Sequence, residues 1–592
     1  MRFFEWVRAD IASLRGFSRA LRAVRPLAAT QTRTFPRLID KLAVRHGERP
    51  ALLSERESFT YRGLADRMNR HARWALTHGL EKGDVVCLLM PNRPEYVATW
   101  LGFTRAGGVV ALVNTNLVGQ SLAACIDSVA PKHVIVAAEL SAQIVSAEPF
   151  LKTTPRIWIK GKSPSQFPCI DSDIDHLPGG PLDGKEIRGV TLSDPALYIF
   201  TAGATGLTKA AIIDHRRLMR AVLGFAGVLG ARPTDRMFDC LPMYHMLGGV
   251  LAIGPLLARG GSVVIREKFT ARDFWRDVRR TDCTILQYVG EIPSALLRAP
   301  PHPQESQHHL RLCCGAGLRP EIWREFKTRF RIPHILEFYA SSEGNVTLFN
   351  FEEKEGAIGR IPWWMRRRFP TAIIRFDVEK GAPLRDSRGH CMRCLPGEHG
   401  EAIGRLKGRF AGYVDEDDNE AKILRNVFTP GDAWLRTGDL MTQDTDGYFY
   451  FIDRIGDTYR WKGENISTTE VKQALCLFPG VDDAVVYGLR VPDHEGRAGA
   501  ATLFCPDWID VSALHAHITK HLPVHARPIF LRIHRSRADA AATKLKRADL
   551  AADCLDPAQT TDQLYFNDPQ VKAFVPLDAE LYSRINAGEV WL

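Results

Sequence analysis

The most constraining feature of this chain is a rhythm. From about residue 50 to 345, short apolar runs alternate with segments of helical spacing. "DVVCLLM" (84–90), "GVVALVN" (108–114), "HVIVAAE" (133–139), "SVVIREK" (262–268), "TILQYVG" (284–290) and "HILEFYA" (334–340) carry no polar alternation and read as strands buried on both faces. "FTARDFWRDVRRTD" and "RPEIWREFKTRF" between them have helical periodicity. Strand–helix alternation predicts an α/β fold with doubly wound parallel sheets, in which ligands sit at the carboxyl ends of strands. Residues 350–450 are richer in Gly, Pro and Asp, with short strands such as "EAIGRLKG" and "GYFYFIDR", and predict a β-rich subdomain. A new α+β pattern begins near 457 with "TEVKQALCLF" and "VDDAVVYGLR". The expected division is a basic N-terminal segment (1–30), a large domain (31–455) and a small C-terminal domain (456–592). At 592 residues the chain is too long for one ordinary core.

A loop follows the strand "ALYIF". In "YIFTAGATGLTKAA" (198–211), Gly203 and Gly206 permit positive φ, successive backbone N–H groups can form an anion nest, and Lys209 adds a charge. Its spacing is not that of the Walker loop. Read without any relative, it is a phosphate-holding loop or an ordinary glycine turn beside a surface lysine. The net charge of +10 suits acidic ligands or an anionic membrane surface, spread thinly over this length.

The first residues, "MRFFEWVRADIASLRGFSRALRAVRPLAA", interleave arginines with apolar residues at helical spacing and hold no continuous apolar stretch. They predict an amphipathic helix, lying on a membrane surface or packed on the domain, and neither a signal peptide nor a membrane span. "MLGGVLAIGPLLA" (246–258) is too short to span and reads as a buried helix. Twelve cysteines without a small-domain framework fit a reduced compartment. The "CMRC" pair (391–394), flanked by His390 and His399, lacks the remaining ligands of a zinc site and reads as a loop.

With Thr201, Gly203, Thr205, Gly206 and Lys209 in register, the loop resembles the T-S-G-[ST]-T-G-x-P-K motif of the adenylate-forming superfamily. "EFYASSEGN" (337–345) resembles its Y-G-x-T-E segment, "CCGAGLRP" (313–320) its glycine-rich adenine wall and "LRTGDL" (435–440) its ribose-binding block. The resemblance implies Tyr339 on adenine, Ser342 at the α-phosphate, Glu343 on Mg²⁺, Gly315, Ala316 and Gly317 lining the adenine pocket, and Asp439 with Arg454 on the ribose. "DRIGDTYRWKGENISTTEV" (453–471), "DCLPMYHMLGG", "DCTILQYVGEI", "HARPIFLR" and "FVPLDAELYSRINAGE" resemble the fatty acid transport protein and very-long-chain acyl-CoA synthetase family. That family implies ATP, Mg²⁺ and CoA, a fatty acid substrate, and a two-step reaction through an acyl-adenylate. It places the adenylating lysine at Lys544, a hinge at Gly456, the pantetheine tunnel around Gly463 and an orienting residue at His245, with 284–297 along the acyl tunnel. The expected location is cytoplasmic, at the cytoplasmic face of a membrane, with the amphipathic residues 1–28 as the candidate contact, and no nucleic-acid partner is expected.

The motifs are not intact. Ala202 and Ala204 replace hydroxyl residues, Thr208 replaces proline, Ala340 replaces glycine, Ser342 replaces threonine, and the segment before Lys544 reads "AAAT". A hydrogen bond to a charged group is worth about 1.5–3 kcal/mol, so each lost hydroxyl costs roughly ten- to hundredfold unless water or backbone replaces it. Lys209, Glu343, Asp439, Arg454 and Lys544 all remain. The expectation is a slow or specialised synthetase. The alternatives are a ligase for bile-acid or sterol side-chain carboxylates, and a lipid-binding or uptake protein whose adenylation site has decayed.

Overall fold

The computed structural model describes residues 2–28, 30–162, 166–202, 208–341, 344–377, 380–406, 412–415, 417–455, 458–461, 464–491, 497–535 and 555–590. The chain forms two compact units, Met1–Phe369 with Leu406–Ile423, and Pro370–Arg405 with Leu424–Leu592.

The first unit holds two sheets. In one, the strands run in the order Arg156–Lys160, His133–Ala137, Val85–Leu89, Val109–Leu112, Pro195–Ala202, Thr208–Asp214. The first five are parallel and the last is antiparallel. Their side chains are buried on both faces, which is why the runs lack polar alternation. Cys87, Leu89, Val134 and Val136 pack with Leu122, Ile126 and Ile144 of the crossover helices. In the other sheet the order is Thr347–Phe349, Ile335–Ala340, Leu312–Ala316, Ile285–Val289, Arg236–Asp239, Ser262–Ile265, Pro50–Leu53, Ser58–Thr60. It is parallel from Ile335–Ala340 through Pro50–Leu53 and antiparallel at its edges. All six runs read as buried strands are strands, and the helices Phe274–Arg280 and Pro320–Arg329 stand where helical spacing put them. The 246–258 run is buried but not one α-helix. A π turn over Leu247–Leu251 is followed by a single α turn over Gly254–Leu257, and backbone carbonyls of Pro242 and Met243 stand where a Cβ on Gly248 or Gly249 would fall.

The N-terminal helix Arg2–Val24 lies along the helix His215–Leu229 within this unit. A Cβ at Gly227 would stand 2.6 Å from the Ala20 Cα, so glycine permits the close approach. Ser13, Gly16 and Phe17 face inward. The Phe17 ring is 5.3 Å from Phe351, 5.6 Å from Phe369 and 6.0 Å from Trp364. Asp10 pairs with Arg360 at 2.5 Å, and Ser13 donates to Glu352. The inward spacing is i, i+3, i+4, the stripe of a helix on a protein surface. Ile11 and Leu14 are 44% and 51% exposed, and Arg15, Arg22 and Arg25 share the outward side. Among the described residues, no helix is long and apolar enough to cross a membrane.

In the second unit, Thr371–Ile374, Gly400–Arg405, Ala433–Gln443 and Tyr448–Arg454 form antiparallel strands, with Cys391 buried beside Ala372, Ile403 and Trp434. A five-stranded sheet runs Asp483–Leu489, Ala498–Phe504, Phe530–His534, Gln563–Asp568, Ala573–Pro576. Among the described residues, its core cluster draws on residues from Tyr459 onward.

Candidate nucleotide site

Pro195–Ala202 and Thr208–Asp214 are hairpin partners, with Thr201 opposite Lys209 and the Thr201 hydroxyl 3.4 Å from the Lys209 carbonyl. The loop between them leaves the carboxyl end of a parallel strand, where the fold places ligands. Both flanking residues are half-buried at the loop's base. Gly203, Thr205 and Gly206 lie outside the described residues, as does Ala204.

The glycine-rich wall is described in full. Tyr288, Gly315 and Glu337 stand in one row across three adjacent parallel strands. A Cβ at Gly315 would come within 2.3 Å of the Tyr288 carbonyl oxygen and 2.5 Å of its ring. Only glycine lets the tyrosine ring lie across the middle strand. Its hydroxyl then donates to Glu337 Oε1 at 2.6 Å. The same carboxylate accepts the backbone N–H of Gly317 at 3.0 Å and of Leu318 at 3.1 Å. Gly317 is left-handed, with φ +91°, and its carbonyl would be 2.1 Å from a Cβ on Gly290. Glu337 is buried, and burial pushes its carboxyl up to about 7 against the opposing pull of those three donors. Two residues along the strand, on the same face, is half-buried Tyr339. The segment beyond it turns at once. Gly344 donates to the Ser341 carbonyl at 2.8 Å, and Ser341 to that of Val346 at 3.1 Å. Ser342 and Glu343 lie outside the described residues.

His245 is exposed on the loop after Arg236–Asp239, its ring 4.5 Å from that of Tyr244. Two asparagines following strands of the other sheet anchor that loop. Asn92 donates to the Leu241 carbonyl at 2.8 Å and accepts from Met243 N–H at 2.9 Å, while Asn116 donates to the Tyr244 hydroxyl at 3.2 Å. His245 therefore stands at the carboxyl ends of the strands.

In the second unit, Asp439 and Arg454 face each other on neighbouring strands, with Arg454 Nε 3.7 Å from Asp439 Oδ1. Glu401 is fully buried and accepts Arg436 Nε at 3.0 Å and Gly438 N–H at 3.2 Å, fixing the bend that presents Asp439. The Asp439 side chain is largely buried while Arg454 is 65% exposed, so the pair offers a carboxylate beside an open cation. Buried Asp453 accepts five hydrogen bonds, from the hydroxyls of Ser467, Thr468 and Thr469 and the N–H groups of Arg454 and Thr469. Gly456, Gly463 and Lys544 lie outside the described residues.

The structure thus joins Thr201 with Lys209, Gly315, Ala316 and Gly317 with the strand of Tyr339, and Asp439 with Arg454. Sequence reading missed Glu337, Tyr288, Glu401 and Asp453. A signal existed for Glu337: an acid in the middle of the apolar run "HILEFYA" is rarely buried without partners.

A parallel α/β body with a compressed glycine turn at the strand ends is a fold that this chain shares with CoA ligases of solved structure. The AMP-binding enzyme family model matches residues 39–413. Mouse long-chain fatty acid transport protein 1 is 37% identical over 569 residues, covering 94% of this chain and 88% of the relative. Human long-chain fatty acid transport protein 3 is 37% identical over 519 residues, covering 86% and 76%. An anthranilate CoA ligase, AuaEII, solved with anthranoyl-AMP, shares the fold with a TM-score of 0.74 at 20% identity, covering 88% of this chain and 97% of that one. A benzoate CoA ligase from Burkholderia xenovorans LB400 does so at 0.71 and 18%, covering 88% and 99%. The chain belongs to the AMP-binding enzyme family and, within it, to the long-chain fatty acid transport proteins.

Proposed function

We propose that this chain activates long- or very-long-chain fatty acids to acyl-CoA through an acyl-adenylate, in association with fatty acid uptake. The observation that carries this reading is the glycine wall Gly315–Gly317 beside Tyr339 at the carboxyl ends of a parallel sheet, within the segment matched by the AMP-binding model. In the first step a carboxylate oxygen of the fatty acid bonds to the α-phosphorus of ATP, and the bond to the β-phosphate oxygen breaks, releasing pyrophosphate. In the second, the CoA sulfur bonds to the acyl carbon and AMP leaves with the electron pair. Tyr339 and the wall would hold adenine, Asp439 and Arg454 the ribose, and Thr201 with Lys209 and the 203–206 backbone the phosphates. His245 would orient the carboxylate, and Lys544 would bridge carboxylate and α-phosphate oxygens as charge shifts in the transition state. Ser342 would contact the α-phosphate. Glu343 would hold Mg²⁺, which offsets phosphate charge when bound.

The C-terminal domain from residue 456 would turn about Gly456 between the two steps and bring the Gly463 loop to the pantetheine, with 31–455 as the body. The outward arginines and the exposed Ile11 and Leu14 support peripheral attachment of the 1–28 segment to the cytoplasmic face of a membrane, with the helix docked on its domain rather than released from it. The alanines at 202 and 204 favour a slow enzyme over a fast one. The test is fatty-acid-dependent exchange of pyrophosphate into ATP, then thioester formation with CoA, across C8–C24 acids, with Lys544→Ala as control. Exchange that requires a long acid and is lost in the variant supports the reading. Absence of exchange with every acid refutes it, and preference for a sterol side-chain carboxylate moves the substrate to that class.

A further inference from the structure

We propose that Glu337 is a positioning residue for the nucleotide: its carboxylate, reached by the Tyr288 hydroxyl across Gly315, clamps the Gly317–Leu318 turn in the shape that receives adenine. This deepens the nucleotide-site reading and rests on it.

Three observations converge. First, the carboxylate meets only donors: the Tyr288 hydroxyl at 2.6 Å, Gly317 N–H at 3.0 Å and Leu318 N–H at 3.1 Å. That arrangement suits an ionised acid, since a protonated one would add a fourth hydrogen to a shell that already holds three donors. Second, the site is costly for a charge. Glu337 is buried and, among the described residues, no cation lies among its contacts, so a shape-preserving apolar residue would serve packing better. A strand core gains nothing from it, whereas a turn whose N–H groups must be held at a fixed height does. Third, the row Tyr288–Gly315–Glu337 links three strand ends at one level, and Tyr339 follows Glu337 on the same face. The clamp therefore fixes the turn and the expected adenine-stacking ring from one strand. Tyr288 also belongs to the 284–297 segment expected along the acyl tunnel, which places a single carboxylate between the nucleotide wall and the acyl side.

The groups facing Glu337 are Tyr288 from Ile285–Val289 and Cys314, with Cys313 beside it, from Leu312–Ala316, all neutral at pH 6–8.5 because burial pushes each of them up. The proton that matters in that range is on Glu337.

The experiment measures AMP binding by titration calorimetry, and KM for ATP against kcat, on the full-length chain from pH 6 to 8.5, with Glu337→Gln and Tyr288→Phe. Glu337→Gln should raise the AMP Kd and the ATP KM about tenfold or more at pH 8, with the loss falling on KM rather than kcat. The parent should lose affinity as pH falls through about 7, relative to the variant, whose profile retains only the phosphate's own titration. Tyr288→Phe should raise Kd severalfold, and the double variant should be no weaker than Glu337→Gln, because both act through one carboxylate. A folded Glu337→Gln protein with Kd within twofold of the parent overturns the clamp. If that variant does not fold, an unchanged Kd in Tyr288→Phe overturns it. A parent that binds no AMP overturns the nucleotide-site reading itself.

Discussion

Phe17→Ala is the substitution that most sharply tests how the N-terminal helix is held. Phe17 is 2% exposed and meets four aromatic rings, those of Phe349, Phe351, Trp364 and Phe369, at centroid distances of 5.3 to 6.2 Å. Truncating a buried phenylalanine costs about 3–5 kcal/mol. The helix Arg2–Val24 is a terminal element, so the loss falls mainly on its local docking equilibrium rather than on the whole unit. At about 1.4 kcal/mol per tenfold, the undocked population should rise by roughly a hundredfold to a few thousandfold. The assay is amide hydrogen exchange read by peptide mass spectrometry at pH 7.4. Peptides covering residues 9–24 should exchange about a hundredfold or more faster in the variant. The core strands Val85–Leu89 and Leu312–Ala316 should keep parental rates. Leu14→Ala, on the outward face, should leave all rates within about twofold, because an exposed apolar side chain loses little burial. Exchange over 9–24 that is fast in the parent, or unchanged by Phe17→Ala, would refute the docked helix and return the segment to a membrane-released one.

Asp439→Ala should raise the ATP KM by about tenfold or more, from loss of charge-assisted hydrogen bonds worth about 1.5–3 kcal/mol each, with the melting temperature within a few degrees of the parent. Steady-state kinetics beside calorimetry checks this. Gly315→Ala places a methyl 2.3 Å from the Tyr288 carbonyl, and should give a protein that loses AMP binding before it loses secondary structure, read by titration against circular dichroism. Glu95 is buried, which alone would raise its carboxyl, but its hydrogen bond with His71, Lys160 at 3.2 Å and Arg67 at 2.9 Å hold it well below the ordinary range. Its contribution to stability is therefore present above the unfolded carboxyl's titration and lost as pH falls below it. Glu95→Gln should accordingly cost about 1.5–3 kcal/mol at pH 7, because Arg67 and Lys160 lose their buried carboxylate while keeping Asp175 and Asp171, and should flatten the acid limb of the stability curve measured by urea titration. Ala204→Thr should raise the rate of pyrophosphate exchange severalfold by returning a hydroxyl to the phosphate loop.

The parallel sheets were legible because strands covered on both faces carry unbroken apolar runs, and because the crossovers between them are helical. The N-terminal helix was legible as a helix, but not its neighbour. An apolar stripe at i, i+3, i+4 looks the same whether bilayer or protein covers it, and the deciding feature, the bare backbone of Gly227 against Ala20, is remote in sequence. Likewise Glu337 is an acid in an apolar run, a signal the sequence reading passed over, and its partners come from two other segments, since nothing local to "HILEFYA" names Tyr288 or Leu318. The division of the units at Phe369/Pro370 and Ile423/Leu424 depends on strand pairing between distant segments, which no shift in composition marks. Motif resemblance nominated residues for a nucleotide site one by one, while physical reading explained what holds several of them in place.

The most direct measurement is a crystal structure of the full-length protein with a non-hydrolysable palmitoyl-adenylate analogue. It should show the adenine against Tyr339 and the Gly315–Gly317 wall, the ribose hydroxyls on Asp439, and Lys544 at the sulfamate or phosphate that joins the acyl chain. An analogue bound elsewhere, or an adenine on the wall with Asp439 beyond reach of its ribose, would contradict the shared AMP site on which the account stands.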